Sequence, residues 1–360
     1  MEEKGITENG RERNLLQPKL NFPSIIFGTS GLGNLFVALE EKVKYEIVQA
    51  CIQHSSGPVV FDTAGKYGAG LALESLGRSL RALNVKPDEV IISNKLGWVR
   101  TELKTEEPTF EPGVWKGLKY DAVQKISYNG IIECFEQGNE LLGGYVPQLV
   151  SVHDPDEYLA QAQNEADGAR LYNDILEAYK ALEELKAQGK VREIGVGAKD
   201  WRAIERIARD VQLDWVMIAN SMTIMSHPQE LMEFMRSLAE KGVRIFNSAV
   251  FHSGFVIGGN YYDYKLIGPD TEENKALFEW RDRFYALCDE FGIRPSEAGV
   301  QFALNIPGVT SIALSTTNPN RVKENIDMAN AAIPAAFWEA LKAQKLIKFL
   351  PIKDTNDYQL

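Results

Sequence analysis

The chain has 360 residues, 44% hydrophobic and 25% charged, which are the fractions of a globular protein long enough to bury a large core. Its 39 Lys and Arg stand against 50 Asp and Glu, for a net charge of -11, and no basic run exceeds two residues, so nucleic acid is not an expected partner. No apolar stretch approaches the ~20 residues of a membrane span and the N-terminus MEEKGITENGRERNLLQPKL lacks a signal-peptide core, which points to a cytoplasmic protein.

From the N-terminus, the first 20 residues read as a loose segment by composition. Short β-branched runs then recur: Ser24 to Gly28, Val59 to Thr63, Val90 to Lys95, Gln148 to His153, Arg192 to Gly197, Trp215 to Asn220, Arg244 to Ala249 and Ser311 to Ser315. They are continuous rather than alternating, as parallel strands covered on both faces require. Helical stripes separate them. Leu73, Leu76, Leu80 and Leu83 form one, Ile175, Tyr179, Leu182 and Leu185 another, and Leu277, Trp280, Phe284, Leu287 and Phe291 a third.

Eight strands each followed by a helix predict a single (β/α)₈ TIM barrel over residues 21–350, with extra C-terminal helices and a tail at 351–360. Two helices, near Pro295 to Asn305 and near Pro334 to Ile347, are expected outside the barrel cycle. A doubly wound open sheet is the rival. It would carry GxGxxG after an early strand, whereas Gly28 to Gly33 read GxxGxG, and no GxxxxGK[ST] occurs. Three long connections, 98–119, 154–170 and 251–272, all follow strand C-termini, the face where a barrel builds its catalytic pocket.

Cys51, Cys134 and Cys288 lack CxxC spacing and read as buried reduced thiols. The four histidines, His54, His153, His227 and His252, never recur at ligand spacing, so no metal site is expected.

The ends of successive strands carry the chemistry. Strand two ends in Asp62 with Tyr67 five residues on, strand three in Lys95 and strand four in His153. Taken singly, each has a plainer reading: a turn or cap for Asp62, a loop aromatic for Tyr67, a solvated charge for Lys95, a turn closure for His153. Taken together they make a proton-handling set. A lysine held by an aspartate favours a nearby phenolate and lowers the tyrosine pKa, and a histidine orients a substrate oxygen.

At these residues the chain resembles the aldo-keto reductases, through FDTAGKYGAGLALESLGRSL, IISNKLGW, VHDPD, LKAQGKVREIGVG and NPNRVKEN, over about residues 20 to 330. The resemblance implies a catalytic tetrad of Asp62, Tyr67, Lys95 and His153 and transfer of a hydride between NAD or NADP and a carbonyl or alcohol carbon, with the tyrosine moving the proton. It also implies cofactor contacts from Gly28, Thr29, Asn220, Asn247, Ser315, Thr316, Arg321 and Asn325. Five residues depart from the family pattern: Ala198 and Lys199 stand where a carboxamide-binding Ser-Asn pair is common, Asn220 where a carboxamide-binding Gln and Asn247 where a stacking Tyr often sit, and Ser315 where NADP-preferring members often carry a base. The segment from Phe251 to Tyr264 is similar to that of the aldose 1-dehydrogenases, which oxidise free sugars such as L-fucose, D-arabinose or L-galactose to lactones. On that likeness Trp98, Trp115, Tyr261 and Tyr262 would stack on the sugar ring and Asp154, His252 and Asn247 would bind its hydroxyls. The alternatives are an NADPH-dependent reductase of aldehydes and ketones, which the tetrad serves equally well, and a nucleotide-sensing regulatory barrel without turnover. The expected partner is a small sugar or carbonyl substrate; oligomeric state has no readable signal.

Overall fold

A computed structural model describes residues 20–351. The expected N-terminal segment and C-terminal tail therefore lie outside the described residues, apart from Leu20 and Pro351 at their edges.

Eight parallel strands close into a barrel: β1 (Ile25–Gly28), β2 (Val59–Ala64), β3 (Val90–Leu96), β4 (Leu149–His153), β5 (Glu193–Ala198), β6 (Trp215–Ala219), β7 (Arg244–Ser248) and β8 (Val309–Ser315). Each pairs with its sequence neighbours and β8 closes on β1, with Gly28 opposite Ser315. The two-residue period of a strand sends alternate side chains inward. Ile26, Val60, Ile91, Leu149, Trp215, Met217 and Phe246 fill the barrel interior as one buried cluster. Gly195 makes room for this plug, since a Cβ there would lie 2.2 Å from the Trp215 ring.

Helices cover the outside. Between the strands run α1 (Glu41–His54), α2 (Leu71–Ala82), α3 (Tyr128–Leu142), α4 (Glu165–Ala187), α5 (Trp201–Asp210) and α6 (Gln229–Glu240). The leucine stripe of α2 and the Ile175, Tyr179, Leu182, Leu185 stripe of α4 bury their apolar faces against the strands, apart from Leu83, which is half-buried just past the end of α2. The seventh crossover differs from the sequence expectation. Of α7 (Glu272–Phe291) and α8 (Pro295–Leu304), it is α8 that packs on β8, with every residue from Ala298 to Leu304 buried. The apolar stripe of α7 buries only Phe284 and Leu287 fully and turns to the C-terminal helix α10 (Ala335–Ala343), where Phe291 meets Phe337 at 5.7 Å. α8 carries the shorter, almost wholly apolar sequence, and that is what a site between strand and outer helix selects. The short α9 (Arg321–Asp327) follows β8.

All three cysteines are buried and free. Among the described residues no helix is long and apolar enough to cross a membrane.

Candidate functional site

The inward rows of adjacent strands share one grading from apolar to polar toward the C-terminal rim. β2 presents Val60 and then Asp62, β3 Ile91, Ser93 and then Lys95, β4 Leu149, Ser151 and then His153. Register aligns them, with Asp62 beside Ser93 and His153 beside Gly197. Tyr67 arrives from the turn after β2. Gly68, at a φ of +63°, follows it with its backbone so close to Gly33 that a Cβ would lie 2.2 Å from the Gly33 carbonyl oxygen.

The four side chains meet in one cleft of about 1030 Å³ at the rim. Lys95 Nζ donates to Asp62 Oδ2 at 2.5 Å, Ser93 Oγ donates to Asp62 Oδ1 at 3.3 Å, and both charged groups are buried. Lys95 Nζ lies 5.0 Å from the Tyr67 ring centre, and the Tyr67 and His153 rings meet edge to face at 5.6 Å. Burial first, and the Asp62 carboxylate next, push the Tyr67 phenol well above its ordinary value. The lowering expected from a neighbouring ammonium is outweighed by burial, and Lys95 is itself paired with Asp62. Burial, reinforced by Lys95, Lys66 and Lys199, holds His153 well below the usual imidazole range, so it is neutral near pH 7. Its Nδ1 is buried and has no hydrogen-bond partner among the described residues.

One wall of the cleft is a charged cluster drawn from four connections. Lys66 Nζ contacts Glu111 at 2.8 Å, Glu157 at 2.9 Å and Asp154 at 3.8 Å; Lys199 Nζ binds Glu157 and lies 3.9 Å from Asp154. Above it, Tyr264 stacks on the Lys199 ammonium at 5.0 Å, while Trp115 packs beside Tyr67 at 5.8 Å and donates from Nε1 to Glu111 at 2.6 Å. Tyr264 comes from the 251–272 connection expected to build the pocket, while Lys66, Glu111 and Glu157 were missed in the sequence. The available signal was their concentration in the rim loops, GKYG and DPDEY among them.

The other cofactor and substrate expectations divide. Gly28, Asn220, Ser315, Thr316 and Arg321 line the cleft, and so does Asp154. Thr29 and Asn247 do not, for a reason of parity: each follows or precedes an inward residue by one and so faces outward. Thr29 Oγ1 donates to the Asp62 carbonyl at 3.0 Å and Asn247 Nδ2 to the Met222 carbonyl at 2.7 Å. Asn325 sits half-buried on α9, off the cleft. Trp98 belongs to an antiparallel ribbon, Trp98–Glu102 with Tyr120–Gln124, and packs on Phe110 behind the wall. Tyr261 stacks on Phe36 at 4.9 Å outside the cleft. His252 borders the cleft but has both nitrogens engaged, Nε2 with Thr223 Oγ1 and Nδ1 with Asp263 Oδ1, each at 2.8 Å. It fastens the 251–272 connection instead of offering a free group to a ligand.

This rim, at the C-terminal end of a closed parallel barrel, is where barrel enzymes carry their chemistry. The Aldo/keto reductase family model matches residues 24–345, and the chain belongs to that family and is an oxidoreductase. It is similar to a pyridoxal 4-dehydrogenase from Microbacterium luteolum, 26% identical over 93% of this chain and 98% of that one. It is similar also to a D-threo-aldose 1-dehydrogenase from a Pseudomonas species, 28% identical over 91% and 95% of the two chains, and to an L-galactose dehydrogenase from Arabidopsis thaliana, 21% identical over 85% and 84%. Among solved structures, an aldo-keto reductase from Bacillus halodurans superposes with a TM-score of 0.64 at 18% identity, covering 90% of this chain and 92% of that one. A glycerol dehydrogenase from Gluconobacter oxydans gives 0.65 at 17%, covering 91% and 93%. Both likenesses concern the fold.

Proposed function

We propose that this oxidoreductase is an NAD(P)-dependent aldose 1-dehydrogenase, oxidising the anomeric carbon of a free sugar such as L-fucose, D-arabinose or L-galactose to the lactone. The observation that carries this reading is the charged wall. Carboxylates of Glu111, Asp154 and Glu157 and ammoniums of Lys66 and Lys199, with Trp115 and Tyr264 at its edge, suit a ring bearing several hydroxyls better than an apolar aldehyde. The names of the relatives that act on D-threo-aldose and L-galactose support it.

The opposite arm of the cleft fits a dinucleotide. Asn220 Oδ1 is buried without a donor and borders the cleft, as a carboxamide acceptor would, and its backbone is held at a φ of +60°. Gly28 and Gly31 keep a floor that side chains would fill, since a Cβ at Gly31 would lie 3.0 Å from the Thr316 carbonyl oxygen. Arg321 is exposed at the far end and forms no ion pair among the described residues, so it is open to a phosphate. When bound, NAD(P)⁺ would supply the two-electron acceptor.

In this reading, Tyr67 takes the proton of the C1 hydroxyl, the neutral His153 imidazole orients that oxygen, and the Asp62–Lys95 pair holds the phenol in place. The test is absorbance at the reduced nicotinamide band, with NAD⁺ and NADP⁺ separately, across a panel of aldoses. Growth of the band with a sugar is the expected result. Consumption of NADPH with simple aldehydes and silence with every sugar would replace it by the general reductase, and tight nucleotide binding without turnover in either direction by the regulatory barrel.

A further inference from the structure

Asp154 stands apart from the other charges of the wall. It directly follows His153, and its backbone adopts a φ of +45°, a left-handed conformation that aspartate enters more readily than most side chains. Its side chain is only 14% exposed, yet among the described residues its carboxylate accepts no hydrogen bond. The two lysines approach no nearer than 3.8 and 3.9 Å, because their short contacts go to Glu111 and Glu157. A largely enclosed carboxylate compensated in charge but lacking donors leaves its oxygens ready for a ligand's hydroxyl. Its position says which hydroxyl. Asp154 Oδ2 is 3.5 Å from His153 Nε2, so an oxygen on the carbon beside the one that His153 and Tyr67 serve falls within its reach.

We propose that Asp154 is the specificity-determining residue of this site, accepting a hydrogen bond from the hydroxyl on the carbon adjacent to the reacting carbon, so that the enzyme selects 2-hydroxy aldoses over their 2-deoxy counterparts. This rests on the aldose reading above. Lys66 and Lys199 serve the same end indirectly: each keeps the carboxylate ionised without occupying its lone pairs. A neutral aldehyde without the neighbouring hydroxyl leaves Asp154 desolvated and unpaired, and that penalty is the source of discrimination.

The experiment compares kcat/KM for an aldose and for its 2-deoxy analogue, using the full chain at saturating NAD⁺ or NADP⁺, in the wild type, Asp154→Ala and Asp154→Asn. The wild type should prefer the 2-hydroxy sugar by about 10- to 100-fold, the range of a hydrogen bond to a charged acceptor. Asp154→Ala should bring that ratio close to one, and Asp154→Asn, which keeps the shape and a neutral carbonyl acceptor, should leave it between the two. A wild-type ratio near one, in an enzyme that does oxidise aldoses, overturns the assignment while sparing the aldose reading; this arm needs no variant to fold. A ratio unchanged in a folded Asp154→Ala protein also overturns it, since a merely structural role would depress both substrates alike. If the wild type oxidises no aldose at all, the aldose reading fails and this assignment falls with it.

Discussion

Lys95 donates to Asp62 at 2.5 Å from the neighbouring strand while its ammonium lies 5.0 Å from the centre of the Tyr67 ring, so this cation beside the phenol ring is already bound to an anion. The phenol is accordingly pushed up by burial and by Asp62, and it rests protonated. Protonated Tyr67 can give a proton in the reductive direction at once, but must lose one before it accepts that of an alcohol. Sugar oxidation should therefore accelerate from about pH 7 toward pH 10, and carbonyl reduction should not. Steady-state rates in the two directions across that range check the asymmetry, and equal profiles would remove Tyr67 as the group that titrates. Tyr67→Phe should cost more than ~100-fold in turnover, with nucleotide affinity measured by fluorescence titration nearly unchanged.

The barrel was legible in the chain because strands buried on both faces must be apolar along their whole length, and eight such runs stand between helical stripes. Asp62, Lys95 and His153 were legible for a related reason, each being a charged or polar residue toward the C-terminal end of a strand that starts apolar. Asn247 shows where reading stops: one residue of register separates the cleft from the outer face, and Phe246 and Ser248 took the inward positions. The Lys66–Glu111 pair was illegible because it depends on how the connection after β3 folds back as a ribbon, which no local spacing encodes. His252 was read as a ligand group when its surroundings, Thr223 and Asp263, lie 29 and 11 residues away.

If Asp154 binds the substrate as proposed, it should also set a pH limit on that binding. Burial raises its carboxyl to about 6; Lys199 and Lys66 hold it down, and Glu157 and Asp156 push it up. Glu111 from the loop between the ribbon strands, His153 from β4 and Tyr264 from the 251–272 connection complete the groups around it, and burial holds His153 well below the usual imidazole range. Below about pH 6 the carboxyl takes a proton and loses its strength as an acceptor. KM for the aldose should rise as pH falls from 7 to 5 in the wild type, and the rise should disappear in Asp154→Asn. A KM independent of pH in the wild type would contradict this role.

On the proposed reading, cofactor choice should turn on a single cation. Arg321 lines the cleft beside Thr316 and Ser315, while Lys323, on the same helix, is paired with Asp327 at 2.6 Å. One guanidinium facing a 2'-phosphate gives a modest preference for NADP over NAD. Arg321→Ala should weaken NADP⁺ binding by about 10-fold and NAD⁺ binding far less, measured as dissociation constants by titration calorimetry. Equal losses for both nucleotides would assign Arg321 to their shared part.

Stability at low pH should depend on His227, which ties the C-terminal segment to the connection after β6. Its Nδ1 donates to the Thr223 carbonyl at 3.0 Å, its Nε2 accepts from the Lys348 amide at 2.9 Å, and Phe302 and Phe349 flank the ring. Both nitrogens are thus satisfied by the neutral imidazole, and a second proton on Nε2 would face another donor. Burial, aided by Lys348, lowers its pKa to about 4 from the ordinary 6.5. The unfolded chain therefore binds more protons than the folded one between those values, so the stabilisation is complete above pH 6.5 and is lost as pH falls toward 4. The loss is about 3 kcal/mol for this residue alone. His153, depressed in the same direction, adds to the total, so the contribution of His227 is read from a variant. His227→Gln should lower Tm at pH 7, where two hydrogen bonds are disturbed, and flatten the fall of Tm between pH 6.5 and 4 relative to the wild type. Parallel Tm curves for the two proteins would show that His227 does not titrate between the folded and unfolded states.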